Sequence, residues 1–319
     1  MKVGFSSNIT WHGAPVDEVA RLAEALNFES MWMGEHIFIP ATVRDPTLHV
    51  VEAIPDEYRN MAEPIVWLTA AAMATSRIRL GLNVCLVPQR HPILLAKQLA
   101  SLDQLSGGRL LFGAGAGWVE EEASVMGYPL KERWARTMEH LRVIKQLWTE
   151  DPVGFQGQFV NFDPIHLFPK PLQKPNPPIL IGSGGPGLNN IYALRRVAEL
   201  ADGWIPCFLS PDQMAQELAV LRGLCEDRGR NFDELEISIV LPASQIGAGD
   251  DFASMGTLKV EPADAAALIE EYRRAGIHRI VLGLVDLTRE NYRQVLEHAA
   301  LALNLPPRGA AASSVGARG

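Results

Sequence analysis

The fold class this sequence predicts is α/β, a (β/α)8 TIM barrel, and three observations carry the prediction. Strand-like and helix-like runs alternate along nearly all of the 319 residues. Eight strand-like runs can be counted, nearly every one followed by a helix, and several, such as Ile280–Val281–Leu282, are continuously apolar. Such runs suit parallel strands covered on both faces. The chain is also longer than a minimal barrel, with its excess in two irregular stretches, as barrels with elaborated loops are.

The first strand is Lys2–Ser7, and the helix that begins at Asp17 keeps Val19, Leu22, Ala23 and Leu26 on one face. Ser30–Gly34 is the second strand and runs into Glu35–His36. The segment Ile37–Asn60 is polar, contains proline and has no sustained period, which marks a functional or moving loop. Glu63–Ser76 reads as an apolar helix, Arg79–Leu86 as the third strand and Val87–Pro92 as a turn. Pro92 starts a helix at its favoured first position, and Gly107–Gly108 stops it. The fourth strand enters Gly113–Ala114–Gly115–Ala116–Gly117–Trp118. After the acidic Glu120–Glu122, Trp134, Met138, Leu141, Ile144 and Trp148 give the strongest helical periodicity in the chain.

An insertion separates strands four and five: a hairpin over Phe155–Phe162 with Gly157 in its turn, then a proline-rich crossing at Phe168–Pro178. Ile179–Ile181 is the fifth strand and Gly182–Gly187 a second glycine-rich loop. A helix through Ala193, Val197 and Leu200 leads to the sixth strand, Gly203–Ile205. Asp212–Arg228 is helical, Glu236–Leu241 is strand seven, Pro262–Ala275 is helical, Arg279–Leu284 is strand eight and Arg289–Leu303 is the last helix. Residues 1–305 form one domain in this reading, and the small, arginine- and glycine-bearing tail 306–319 is expected to be disordered.

Composition narrows the function classes. Hydrophobic residues make up 47% and charged residues 21%, as in an ordinary globular protein. The best apolar runs are broken by Glu63, Arg77 and Lys97, so no membrane span is expected. The N-terminus reads directly as a strand, so no leader is expected, and Cys85, Cys207 and Cys225 lie far apart without metal-ligand spacing. A cytoplasmic, reduced protein without a bound metal is the expectation. A net charge of −8 argues against nucleic acid or an anionic membrane as the main partner.

Barrels of this type work at the C-terminal ends of their strands, and that rule selects four places. Glu35–His36 is the only acid–histidine pair at a strand end, and histidine titrates where proton transfer to a substrate oxygen is useful. A satisfied structural histidine beneath the long loop is the alternative. Asn83–Pro88 follows the third strand. Gly113–Gly117 bares its backbone to a flat or phosphorylated ligand, or else packs closely against a neighbouring loop. Gly182–Ser183–Gly184–Gly185–Pro186–Gly187 stands between a strand and a helix, where backbone N–H groups and the Ser183 hydroxyl suit a phosphate. It follows strand five, whereas barrel phosphate sites more often follow strands seven and eight. Trp118 and Trp204 lie at strand ends and could stack on a flat ring or simply pack. Neither glycine loop follows the first strand as a dinucleotide fingerprint requires, and Gly182–Ser183–Gly184 lacks the spacing of a serine-hydrolase elbow.

The combination of Glu35–His36, Leu80–Gly81–Leu82–Asn83–Val84, Arg90–His91–Pro92, Leu105–Ser106–Gly107–Gly108–Arg109 and Gly113–Trp118 resembles the bacterial luciferase-like superfamily. So do Leu147–Trp148–Thr149–Glu150–Asp151–Pro152, Pro169–Lys170–Pro171 and Ala201–Asp202–Gly203–Trp204. The resemblance covers roughly residues 1–290, and it is nearest to the probable oxidoreductases that use coenzyme F420, a 5-deazaflavin. It implies a barrel with an insertion, a homodimer, a small-molecule substrate and a deazaflavin, or alternatively FMN, across the strand ends.

The resemblance further implies a non-proline cis peptide at Asn83–Val84, behind the cofactor ring. It makes Asn83, Val84, Ala114, Gly115, Ala116, Gly117, Ser183, Gly184 and Gly185 cofactor contacts and His36 the acid or base, with Glu35 beside it. The implied reaction is hydride transfer between reduced coenzyme F420 and an organic substrate. An FMN-dependent monooxygenase and a non-catalytic flavin-binding protein are the rivals. The anionic tail of coenzyme F420 would want basic groups at the rim, for which Arg44, Arg59, Lys170 and Lys174 are candidates. Trp118 stands where the sugar-phosphate dehydrogenase branch has an acid, which argues against a sugar phosphate and leaves Glu120, Glu121 or Glu122 as possible substitutes.

Overall fold

The computed structural model describes residues 1–41, 56–184, 190–242, 265–284 and 287–305. The tail 306–319, most of the long segment after the second strand, and Gly185–Gly187 of the second glycine loop therefore lie outside the described residues.

The strands are β1 (Lys2–Ser6), β2 (Ser30–Met33), β3 (Arg79–Leu82), β4 (Cys85–Leu86), β5 (Leu110–Gly115), β6 (Val153–Gln156), β7 (Asn161–Ile165), β8 (Ile179–Ser183), β9 (Gly203–Pro206), β10 (Glu236–Pro242) and β11 (Arg279–Gly283). The helices are α1 (Val16–Ala25), α2 (Asp56–Arg59), α3 (Pro64–Ala74), α4 (Pro92–Ser106), α5 (Glu120–Val125), α6 (Arg133–Thr149), α7 (Ile191–Leu200), α8 (Pro211–Glu226), α9 (Ala265–Arg274) and α10 (Tyr292–Ala302). Strands pair in the order β3–β2–β1–β11–β10–β9–β8–β5, and β3 pairs back onto β5, which closes a parallel eight-stranded barrel. The expected fold class and the insertion after the fourth barrel strand are both present.

Two cores hold the barrel, as its alternating strand faces require. Between strands and helices lies the large one, with Leu80, Leu99, Phe112, Ile144, Ile181 and Leu282 among its buried members. Inside the barrel a smaller layer of Trp32, Leu111, Leu180, Ile205, Val240 and Val281 fills the lumen. At the N-terminal end of the strands Arg279, fully buried, donates to Glu29 at 2.7 and 2.8 Å and to Glu236. Its guanidinium lies 5.6 Å from the Trp32 ring centre, so one cation seals the lower end of the lumen.

The insertion is tied to α6 and α4 by side chains that satisfy its backbone. Glu139 of α6 accepts from the backbone N–H groups of Gln158, Phe159 and Val160 at 2.7–2.8 Å, which fixes the β6–β7 turn. Lys170 donates to the carbonyls of Leu147 and Glu150, where α6 ends. Helix α3 stops on Arg109, whose guanidinium donates to the carbonyls of Ala72, Thr75 and Ile78. Among the described residues no helix is long and apolar enough to cross a membrane.

One expectation is corrected: the third strand does not run unbroken from Arg79 to Leu86. Leu80 and Gly81 pair with Leu110 and Leu111, but Cys85 and Leu86 pair with Ala114 and Gly115, so the register slips by one residue between them. The extra residue is a bulge, which is how a strand turns a side chain toward a site at a barrel rim.

Replacing Arg279 by Ala takes from Glu29 both of its guanidinium bonds and leaves Glu236 with the exposed Lys2 as its cation. Urea unfolding should show a loss of about 3–5 kcal/mol, the usual cost of removing one partner from a buried pair.

Candidate active site

A cavity of about 1150 Å³ opens at the C-terminal ends of the barrel strands, reached by Ser6, Gly115, Ser183, Pro242 and Gly283 from five of them. Gly115 and Gly184 line this same space, as do Ala116, Gly117, Asn83 and Val84. Ala114 is not among its walls, being packed in the strand–helix core, and Gly185 lies outside the described residues.

The floor of the cavity is made by the bulge. The Asn83–Val84 peptide is cis, as the resemblance implied, and the Val84 side chain packs on the lumen layer beneath it. Three glycines make room for this. A Cβ on Gly113 would overlap the Leu82 carbonyl, one on Gly115 would overlap Val84 Cγ2, and one on Gly182 would lie 2.6 Å from Val84 Cγ1. Gly113, Gly115 and Gly182 thus serve close packing, and Gly182 belongs to a strand rather than to the loop that follows it. Gly117, at φ 78°, is the position of this stretch that needs glycine for its backbone conformation.

His36 stands on one wall. Its Nδ1 is 3.1 Å from Glu122 Oε2, both side chains are nearly buried, and the second oxygen of Glu122 accepts from the Ile37 backbone N–H at 3.2 Å. The rings of Tyr58 and Trp118 stand edge-on to the imidazole, with centres 5.4 and 5.7 Å away. With Nδ1 engaged, Nε2 is the ring nitrogen left without a hydrogen-bond partner among the described residues, in a residue that lines the cavity.

Glu35, expected beside His36, is committed elsewhere. It accepts from the Leu86 N–H at 2.6 Å and from Nε and Nη2 of Arg90, and is itself buried. Arg90 also reaches Glu63 at 2.7 Å, so one guanidinium joins the two ends of the long excursion between β2 and α3. Burial alone would lower the Arg90 pKa, but the Glu35 carboxylate overrides it and holds the guanidinium above its usual range. Glu35 therefore anchors β4 just past the bulge, and the acid that meets the histidine is Glu122.

Across the cavity, Ser183 Oγ accepts from the indole N–H of the fully buried Trp204 at 3.0 Å, which leaves the serine O–H free to donate. Trp204 packs inside the wall and cannot stack on a ligand, whereas Trp118 stays partly exposed on the cavity surface. Cys207 also lines the space, but burial pushes its thiol pKa up to about 12, so it acts as an apolar wall.

Of the basic groups anticipated at the rim, Arg59, Lys170 and Lys174 are not among the residues lining the cavity. Lys170 is bound to helix-end carbonyls and Lys174 to the Pro171 carbonyl, Arg59 has its own partner, and Arg44 lies outside the described residues. Arg133, the first residue of α6, and Arg196 of α7 line the cavity instead. Each sits on an amphipathic helix, where arginine reads as a solvated face. The available signal was Arg133 itself, a cation at a helix N-terminus, where the macrodipole disfavours it. Among the described residues no group of three or more His, Cys, Asp or Glu could hold a metal.

Comparison with known proteins places these features in context. A family model described as luciferase-like monooxygenase matches residues 12–249. An uncharacterized protein of Mycobacterium tuberculosis, Rv0953c, is 39% identical over 188 residues. That match takes in 58% of this chain and 65% of the relative, so it spans a little under two thirds of the relative's length. An F420-dependent glucose-6-phosphate dehydrogenase of Kineococcus radiotolerans is 32% identical over 227 residues, 70% of this chain and 61% of that one. Among solved structures, the monooxygenase RslO1 from Streptomyces bottropensis superposes with a TM-score of 0.75 over 95% of this chain and 99% of its own, at 23% identity, and so shares the fold.

The glycine cradle has a direct test. Gly115→Ala should destabilise the protein by about 1–3 kcal/mol through overpacking against Val84. Adding Val84→Ala should recover a large part of the loss, because the second change removes the atoms the new methyl meets. Urea unfolding of the two variants measures both.

Proposed function

The chain belongs to the luciferase-like monooxygenase family, and from that premise we propose that it is an oxidoreductase working with a deazaflavin of the coenzyme F420 type on an organic substrate. The observation that carries the proposal is a single cavity holding the Val84 floor, the His36–Glu122 pair and, on another wall, the Ser183 hydroxyl beside Gly184. The Kineococcus relative named for coenzyme F420 favours a deazaflavin over FMN.

The residues present fit such a group. Val84 offers an apolar contact for one face of a flat ring, and Gly115–Gly117 present a wall almost free of side chains. Ser183 O–H has a free donor for a phosphate oxygen, and Gly184 stands next to it. When bound, coenzyme F420 supplies the two-electron hydride carrier that no side chain of the protein can provide.

The protein's own part is position and a proton. Glu122 holds His36 Nδ1, fixing the ring orientation so that Nε2 serves the substrate oxygen as donor in reduction or as acceptor in oxidation. The Glu122 contact at Nδ1 keeps the ring in this orientation in whichever direction the reaction runs. Its second oxygen holds Ile37 N–H, which ties this dyad to the start of the long segment after β2. Tyr58 and Trp118 flank the imidazole and limit the water that reaches it. Glu35 and Arg90 act behind this wall as positioning residues.

Side-by-side titration with reduced coenzyme F420 and FMN tests the cofactor. Tighter binding of the deazaflavin with turnover of a carbonyl or alcohol substrate supports the proposal. Preference for FMN with oxygen consumption supports the monooxygenase reading, and binding without turnover of any acceptor supports a storage role. His36→Ala should lower kcat by about 10²–10⁴-fold while the cofactor Kd changes less than about twofold. Glu122→Gln should lower kcat by about tenfold or more, also without loosening the cofactor, because the amide keeps the shape and discards the charge. A fall in cofactor affinity equal to the fall in kcat would remove both residues from the proton-transfer role.

A further inference from the structure

Arg133 and Arg196 approach the cavity from two different helices, and neither forms an ion pair among the described residues. The Arg196 guanidinium carbon lies 4.1 Å from the centre of the Trp134 ring, another wall of the cavity, and Arg133 Nη1 spends one of its donors on the Leu130 carbonyl at 3.1 Å. Burial first, and then the nearby charge of Arg133, hold the Arg196 pKa below its usual value. The carboxylate that acts against this, Glu199, is itself bound to Arg142. Two partly buried guanidinium groups that line one cavity, with donors left over among the described residues, repel each other until an anion enters between them.

The nearby groups agree with an anion rather than a cation. Ser183 accepts from Trp204, so its own O–H is left to donate. Glu35, which lines the cavity, and Glu122, buried behind His36, are on other elements and already engaged by Leu86, Arg90, His36 and Ile37. Charge in this cavity is thus divided, with guanidinium groups from α6 and α7 on one side and the engaged carboxylates behind His36 on the other.

We propose that Arg133 and Arg196 form the seat of an anionic group, phosphate or carboxylate, carried on the side chain of the cofactor. The inference rests on the cofactor reading above and goes beyond it by naming which residues read the tail. Backbone donors at Gly184 and the Ser183 hydroxyl act on the same chain, and the two arginines distinguish a ligand with a charged tail from a bare ring. Trp134 keeps the Arg196 guanidinium flat and in place, which spares part of the ordering that a free arginine would lose on binding.

Fluorescence titration of the full-length protein tests this with four probes: coenzyme F420, FMN, riboflavin and 5-deazariboflavin. Arg133→Gln and Arg196→Gln should each weaken coenzyme F420 binding about tenfold and the double variant about a hundredfold, from the loss of charge-assisted hydrogen bonds. Riboflavin and 5-deazariboflavin, which carry no charge on the side chain, should bind wild type and variants within about twofold of each other. Arg196→Lys, which keeps the charge, should retain more affinity than Arg196→Gln, and the salt dependence of coenzyme F420 binding should flatten in the double variant. Calorimetry with inorganic pyrophosphate supplies a readout free of the ring, with heat expected for wild type and none for the double variant. Unchanged coenzyme F420 affinity in the double variant overturns the inference and leaves the cofactor reading standing. Equal weakening of charged and uncharged probes also overturns it, since that is the mark of a packing defect. Binding of pyrophosphate with none of the four ring compounds would instead bring down the cofactor reading, and with it the assignment of the anion to a cofactor tail.

Discussion

The contact between the Val84 side chain and the backbones of β5 and β8 sets the shape of the working end of this barrel. A one-residue slip between Gly81 and Cys85 lifts Val84 onto the lumen layer, and the neighbouring strands can close around it only where they carry no Cβ. Gly115 and Gly182 meet that demand on β5 and β8, which are adjacent in the sheet, while Gly113 makes room for the Leu82 carbonyl just before the bulge. The floor of the cavity, its depth and the bare wall beside it all follow from this packing. Glu35 is the other half of the device, because its hydrogen bond to Leu86 N fixes the strand where pairing resumes.

Stability and chemistry occupy opposite ends of the same strands. Arg279 with Glu29 and Glu236 closes the N-terminal end of the lumen above a tryptophan. The C-terminal end is left open and polar at its edges, as barrels that bind small ligands are. Arg90 joins the two sides of this arrangement: it satisfies Glu35 beneath the site and Glu63 at the start of α3. The long excursion after β2 therefore leaves from and returns to fixed points, and the His36–Glu122 pair sits immediately beside its departure.

Much of this fold was legible in the sequence, because parallel strands buried on both faces announce themselves as short apolar runs and helices by their period. The elements near His36 were legible too, since a strand-end rule singles out Glu35–His36 without further information. What could not be read is which groups meet in space. Glu122 lies 86 residues from His36, inside an acidic run that a helix N-terminus explains equally well. Glu35 is adjacent to His36 in sequence, yet neighbouring residues at a strand end point to different sides, so adjacency misled. Gly115 and Gly182 are places of close approach, and the group that approaches them is Val84 of the same chain. Bulges are equally silent in a pattern of hydrophobicity, and this one divided a strand that reads as continuous.

The account turns on Val84 being the surface against which a flat cofactor rests. A crystal structure of the protein with bound coenzyme F420 measures this most directly. The expected result is a ring in van der Waals contact with Val84, with His36 and Trp118 lining the space beside it and the tail leading past Ser183. A cofactor bound outside this cavity, or a Val84 withdrawn from the Gly113, Gly115 and Gly182 cradle with another side chain in its place, would contradict it.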